Sequence, residues 1–156
     1  MRLLLPKLRI RVLLFSMLLA FTVGSSNAAE STPQTIKIKI DSILATNQNG
    51  EFDARLKPLE KQLRVLKYKS YRLLKEESQS VPPQGNGTFD VPGGRSLTIS
   101  PQDFSTQQIA LKVHLQGTDK PLLDTTLKLK NKGNFILGGP PHEGGVLVLA
   151  IWATAE

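Results

Sequence analysis

VLVLAIWA, residues 146–153, is an unbroken run of eight apolar residues in a chain of 156. A strand with one face in solvent shows a polar residue at every second position. An unbroken apolar run instead suits a strand that is buried on both faces. Residues 146–153 therefore predict a sheet that is covered on both sides.

Other segments alternate between apolar and polar residues, as half-buried strands do. The alternation is clearest at 36–40, 109–116 and 123–130, where every second side chain is apolar apart from Thr125. Further strands are predicted at 68–77, with a register break near Leu73 and Leu74, and at 88–91, 95–100 and 135–137. The glycines and prolines of 138–145 predict a loop.

One segment has the period of a helix. Four leucines recur at steps of three, four and three, within an arc of ~80° on a helix of 3.6 residues per turn: Leu56, Leu59, Leu63 and Leu66. Asp53 suits the N-cap and Pro58 the first turn. We expect an amphipathic helix at about 54–66, packed on the sheet.

Short strands with turn residues between them indicate an antiparallel sandwich or a partly closed barrel. We predict about seven to eight strands and one helix in a single domain over residues 35–156. The expected class is α+β with β-structure dominant.

The first 28 residues have the three-part pattern of a secretory signal peptide. Four basic residues precede the apolar run 12–23, and small residues then lead to a predicted cleavage after Ala28. Residues 29–34 form a polar leader. We expect an exported protein, periplasmic or secreted. The alternative is an uncleaved anchor, although a spanning helix needs about 20 apolar residues and this run has 12.

The charge and the cysteine content of the chain argue against several classes of protein and of functional site. The formal net charge is +7, but four basic residues lie in the signal segment, which leaves 16 basic against 13 acidic residues, or +3. That value does not indicate a nucleic-acid binder. The chain has no cysteine, which excludes thiol catalysis, thiolate metal sites and an acylated cysteine anchor. No cofactor and no transmembrane span of the mature chain are expected.

The basic residues cluster between Arg55 and Lys75, where eight of them face a single acid, Glu60. On the predicted helix they form a stripe beside the leucines, which later residues extend: Lys57, Lys61, Arg64, Lys69 and Arg72. The functional interpretation is contact with an anionic component of the cell envelope. The alternative interpretation is an ordinary solvated helix face.

Catalytic signals are weak. The segment Leu122-Leu123-Asp124-Thr125-Thr126 resembles the catalytic motif of retroviral-type aspartic proteases, but Thr126 stands where that motif has glycine. The continuing strand is expected to turn Asp124 outward, beside Lys128. His114 and His142 have too few neighbouring ligands for a metal site. The pattern favours a protein that is not an enzyme.

Two segments, 68–74 and 133–151, together resemble a family of small exported proteins of Gram-negative bacteria that has no assigned activity. This resemblance implies the periplasm or envelope and no catalytic residues. The C-terminal segment is also similar, over about 20 residues, to outer-membrane secretins, through Lys132-Gly133 and Gly138-Gly139.

These observations lead to the hypothesis of a non-catalytic binding or assembly module of the bacterial cell envelope. Its predicted contact surfaces are the basic stripe and the loop 138–145, including Gly138, Gly139 and His142. The expected partner is an envelope protein or an anionic envelope component. Two alternatives stay open: a hydrolase that uses Asp124 or His142, and a structural component that pairs by strand addition. The oligomeric state also stays open.

Overall fold

The computed structural model describes Pro33 and residues 35–156. The predicted signal peptide and, apart from Pro33, the polar leader lie outside the described residues. The elements are β1 (Ile36–Thr46), a 3-10 helix (Ala54–Leu59), α1 (Glu60–Arg64), β2 (Ser70–Val81), β3 (Gly87–Val91), β4 (Arg95–Phe104), β5 (Gln108–Gln116), β6 (Pro121–Lys130), β7 (Gly133–His142) and β8 (Gly145–Ala155).

The strands form two antiparallel sheets of four. The first sheet has the order β2-β1-β8-β7, and the second has the order β3-β4-β5-β6. The chain enters the second sheet between β2 and β3, completes that sheet as a meander, and returns between β6 and β7. The α+β, β-dominant prediction is confirmed, and of the two predicted architectures the described residues adopt the sandwich.

The main core lies between the two sheets. It is built from alternate residues of the strands, as the sequence pattern predicts, and β5 shows this most clearly: Ile109, Leu111, Val113 and Leu115 are all buried. On β6, Leu127 and Leu129 point into the same core while Lys128 is exposed. The period of two therefore assigns the inward face of both strands correctly.

β8 is buried on both faces, as its unbroken apolar run predicts. Leu147 and Leu149 join the core between the sheets. Val148 and Ala150 point the other way, into a second core that the helical segments cover. The unusual composition of β8 follows from this position, because both of its faces are removed from water.

The predicted helix at 54–66 is shorter and divided. The segment begins as a 3-10 helix that contains Pro58, and only residues 60–64 are α-helical. Leu56, Leu59 and Leu63 are buried as expected, but Leu66 is 36% exposed. The exposure of Leu66 arises because the α-helix ends at Arg64. The next residues form backbone hydrogen bonds of the tighter 3-10 type, and Lys67 has a positive φ of 61°, so that Leu66 turns away from the sheet.

The register break predicted near Leu73 and Leu74 is confirmed. Ser42 on β1 pairs with Lys75 on β2, and the next residue of β1, Ile43, pairs with Leu73. Leu74 lies between these two pairs as an extra residue of β2. Such a bulge bends the strand and increases its twist.

The predicted loop at 138–145 is wrong. Residues up to His142 continue β7, and only Glu143 and Gly144 form the turn to β8. Gly138, Gly139, Pro140 and Pro141 are unusual in a strand, but β7 lies at the edge of its sheet. An edge strand tolerates proline because one side of its backbone needs no donor.

Two leucines of the helical segment offer a matched test of this packing. We expect Leu63→Ala, at a fully buried position, to lower the free energy of unfolding by about 2–5 kcal/mol. Leu66→Ala should cost about 1 kcal/mol or less because its side chain is partly in solvent. Urea denaturation measures both values, and an equal loss would contradict the described end of the helix.

Candidate functional site

The helical segments form a lid on the outer face of the first sheet. Leu56, Leu59 and Leu63 seat this lid on a second core that includes Ile43 and Tyr71. Burial of these leucines therefore decides which side of the lid faces solvent.

Asp53 fixes the beginning of the lid. Its Oδ1 accepts a hydrogen bond from the backbone N–H of Arg55 at 3.0 Å, as predicted for an N-cap. Its Oδ2 accepts bonds from the Arg55 guanidinium at 2.6 Å and from the backbone N–H of Leu73 at 3.2 Å. Arg55 and these N–H donors hold the pKa of the carboxyl well below its usual range. Asp53 therefore joins the lid to β2.

Tyr71 fixes the other end of the lid. Its buried hydroxyl donates to the carbonyl oxygen of Leu63 and accepts from the backbone N–H of Tyr68 at 3.2 Å. Burial raises the pKa of this phenol. Because β2 carries Tyr71, the chain just after α1 is held at a defined place on the sheet.

Glu60 neutralises much of the predicted basic stripe. Its Oε2 pairs with Lys57, and its Oε1 accepts two hydrogen bonds from Arg64, at 2.7 Å from Nη2 and 3.0 Å from Nε. The Arg64 guanidinium also lies over the Phe52 ring, 5.4 Å from its centroid. Lys57 and Arg64 therefore share one carboxylate partner, whereas Lys61 does not. The stripe of Lys57, Lys61 and Arg64 as a contact surface stays a prediction.

The charges without an ion-pair partner lie further along the chain. Within the described residues, Lys61, Lys67 and Lys69 are exposed and form no ion pair. Val65 and Leu66 lie between them and are 74% and 36% exposed. We call these five residues the helical tip. It combines exposed apolar side chains with free positive charge.

Arg72, Gly138, Gly139 and His142, which the sequence also proposed as contact residues, are not part of the helical tip. Arg72 on β2 and His142 on β7 both approach Glu143, at 3.9 Å and 3.8 Å. Arg72 and Glu143 border a groove of about 610 Å³ that also contains Glu51, Asp53 and Arg55. This groove is lined by both signs of charge, and Arg55 within it is paired with Asp53.

Asp124 lies on the exposed face of the second sheet. The titratable group beside it is His114 on β5, whose Nδ1 is 3.5 Å from its Oδ2. Thr98 on β4 is the next residue in the same row, directly opposite His114. The row places a hydroxyl, an imidazole and a carboxylate side by side, as a catalytic triad does. However, it lies on an open sheet, where the backbone N–H groups form the hydrogen bonds between the strands. It offers no evident donor pair for an oxyanion.

A buried carboxyl that the sequence pattern did not indicate lies on the same outer face as the lid. Asp41 is 3% exposed and accepts a hydrogen bond from Trp152 Nε1 at 2.8 Å, while Lys39 Nζ lies 3.3 Å away. Burial raises the pKa of Asp41. One available signal was Trp152 within the apolar run of β8, because a buried indole N–H needs an acceptor.

Residues 35–156 contain no group of three or more acidic, histidine or cysteine side chains that could hold a metal ion. In the same part of the chain, no helix is both long and apolar enough to cross a bilayer. Comparison with known proteins found no matching family model, no matching curated protein and no matching solved structure.

The role of Asp53 is tested by the pH dependence of stability. Its pKa is lowered from 3.8 in the folded protein, so its charge contributes stability above that pH and loses the contribution as pH falls through the folded-state pKa. We expect Asp53→Asn to be less stable than the wild type at pH 7, with a difference that shrinks below pH 3.8. Denaturant titrations between neutral and acidic pH measure this difference in the free energy of unfolding.

Asp103→Asn is the control, because Asp103 is exposed on β4 and should change stability by less than about 0.5 kcal/mol. An Asp53→Asn difference that stays constant down to the lowest pH would contradict the ionic role of Asp53.

Proposed function

We propose that this protein is an exported, non-catalytic binding module of the bacterial cell envelope, and that the helical tip is its contact with an anionic membrane surface. The single observation that carries the proposal is the exposure of Val65 and Leu66 between three lysines that have no ion pair among the described residues.

The composition and the attachment of the helical tip both suit contact with an anionic membrane surface. Exposed apolar side chains gain free energy by entering the boundary of a bilayer, and flanking lysines extend their ammonium groups to the headgroups. Each basic residue near an anionic surface contributes about 1 kcal/mol. The lid holds the tip rigidly through Leu63 and Tyr71, so little ordering of the chain is required on contact.

Export rests on the signal-peptide pattern of residues 1–28. We expect the protein in the periplasm or medium of the producing bacterium, with a mature N-terminus at Ala29. Cell fractionation followed by N-terminal sequencing measures both. Ala28→Arg should retain the longer form because a large charged residue does not fit the small-residue position of the cleavage site. A wild-type protein that keeps Met1 in the cytoplasm would contradict export.

Membrane contact is tested by sedimentation with vesicles. We expect binding to vesicles of phosphatidylcholine with phosphatidylglycerol, and little binding to phosphatidylcholine alone. Changing Lys61, Lys67 and Lys69 together to Glu should weaken binding at least about tenfold, because each lysine contributes about 1 kcal/mol. Val65→Ser with Leu66→Ser should also weaken it while the charge is unchanged.

The matched control changes Lys37, Lys112 and Lys132 to Glu, which alters the net charge equally at exposed positions away from the tip. This variant should keep most of its vesicle binding. Equal losses in both triple variants would show that net charge alone governs binding, and this would overturn the role of the tip.

A further inference from the structure

Three of the four sheet edges in the described residues have features that hinder pairing. β2 and β3 border each other, and side chains join them: Gln79 Nε2 donates to Thr88 O at 2.7 Å and Lys75 Nζ to Asp90 O at 3.1 Å. The beginning of β2 is also bonded to residues 51–53. On β7, Pro140 and Pro141 lack an N–H, and the register shifts between Gly138 and Pro141.

β6 is different. It has ten residues, and its pairing with β5 is regular from Leu123 to Lys130. Within residues 35–156, no strand pairs with its other side. A regular strand with one unpaired side presents a row of backbone donors and acceptors that suits another strand.

We propose that β6 pairs in an antiparallel manner with β6 of a second copy of this chain, with Thr126 opposite Thr126 of that copy. A two-fold axis at this residue makes the contact self-complementary. The two second sheets would then form one continuous sheet of eight strands. The inference does not depend on the helical tip or on export.

Charge complementarity favours a second copy as the occupant, and two registers satisfy it, because Asp124 can face Lys128 with Thr126 on the axis or Lys130 with Leu127 on the axis. With Thr126 on the axis, Asp124 lies directly opposite Lys128 of the second copy, and the same pair occurs again across the axis. The Asp124 side chain is 57% exposed, so it is accessible for this contact, and Lys128 is also exposed. A register centred on Lys128 would instead oppose two like charges, which is unfavourable.

The inward face selects between these two registers. Leu123, only half buried at the rim of the core, would lie opposite Leu129 of the second copy with Thr126 on the axis, but opposite Asn131 with Leu127 on the axis. Thr125 would lie opposite Leu127. The Leu123–Leu129 pair is apolar on both sides, and such cross-strand pairs stabilise antiparallel strands. Leu127 and Leu129 are already buried in their own core, so the contact covers Leu123 on one face and joins opposite charges on the other.

The experiment measures the mass and the dimer dissociation constant of the purified full-length protein by analytical ultracentrifugation over a range of concentrations. We expect a reversible dimer. Asp124→Lys and Lys128→Asp should each raise the dissociation constant at least about tenfold, since each substitution acts at two symmetry-related pairs. The double variant, Asp124→Lys with Lys128→Asp, restores the opposite charges and should recover dimerisation to within about threefold of the wild type.

Lys130→Asp is the matched control, because it makes the same charge change on the same face but lies opposite Leu122 in this register. It should weaken the dimer much less than Lys128→Asp. Circular dichroism checks that each variant is folded. A wild type that stays monomeric at millimolar concentration, a folded double variant without recovery, or a larger effect of Lys130→Asp would overturn the proposal.

Discussion

The structure depends on the burial of β8 on both faces. A strand with alternate polar residues could leave one face in water, but the run at 146–153 cannot do so without exposing Val148 and Ala150. The second sheet covers one face of β8, and the lid of helical segments covers the other. The long excursion between β1 and β2 is explained by this requirement, since it supplies the leucines of the lid.

The lid also decides where charge is available. Leucine burial orients the segment, Asp53 and Tyr71 attach its two ends, and Glu60 then pairs with the cations on its side. What remains exposed at the far end is the combination of Val65, Leu66 and three lysines. The proposed membrane contact is therefore a consequence of how the lid is attached, rather than of the basic composition of the segment.

Several elements could be predicted from the sequence because their signal is local. The alternation on β5 and β6, the Asp53 cap and the β2 bulge follow from side-chain spacing and turn chemistry. The candidate site was only partly predictable. Helical angles placed Lys57, Lys61 and Arg64 on one face, but they could not show that Glu60 pairs with two of them. The hydrogen bond between Trp152 and Asp41 joins residues 111 positions apart, so the position of Trp152 indicates that its indole needs an acceptor but not which residue supplies it.

The sequence by itself determined the strand periods, the class of the fold and the need to cover both faces of one sheet, because hydrophobic burial acts through the spacing of apolar side chains. Only the tertiary structure decided that residues 138–142 form an edge strand, that Leu66 faces solvent and that β6 ends its sheet. The physical reason is that these three features depend on contacts with residues that are distant in the sequence. Glycine and proline are compatible with a strand where one side needs no hydrogen bond, and strand order fixes which side that is.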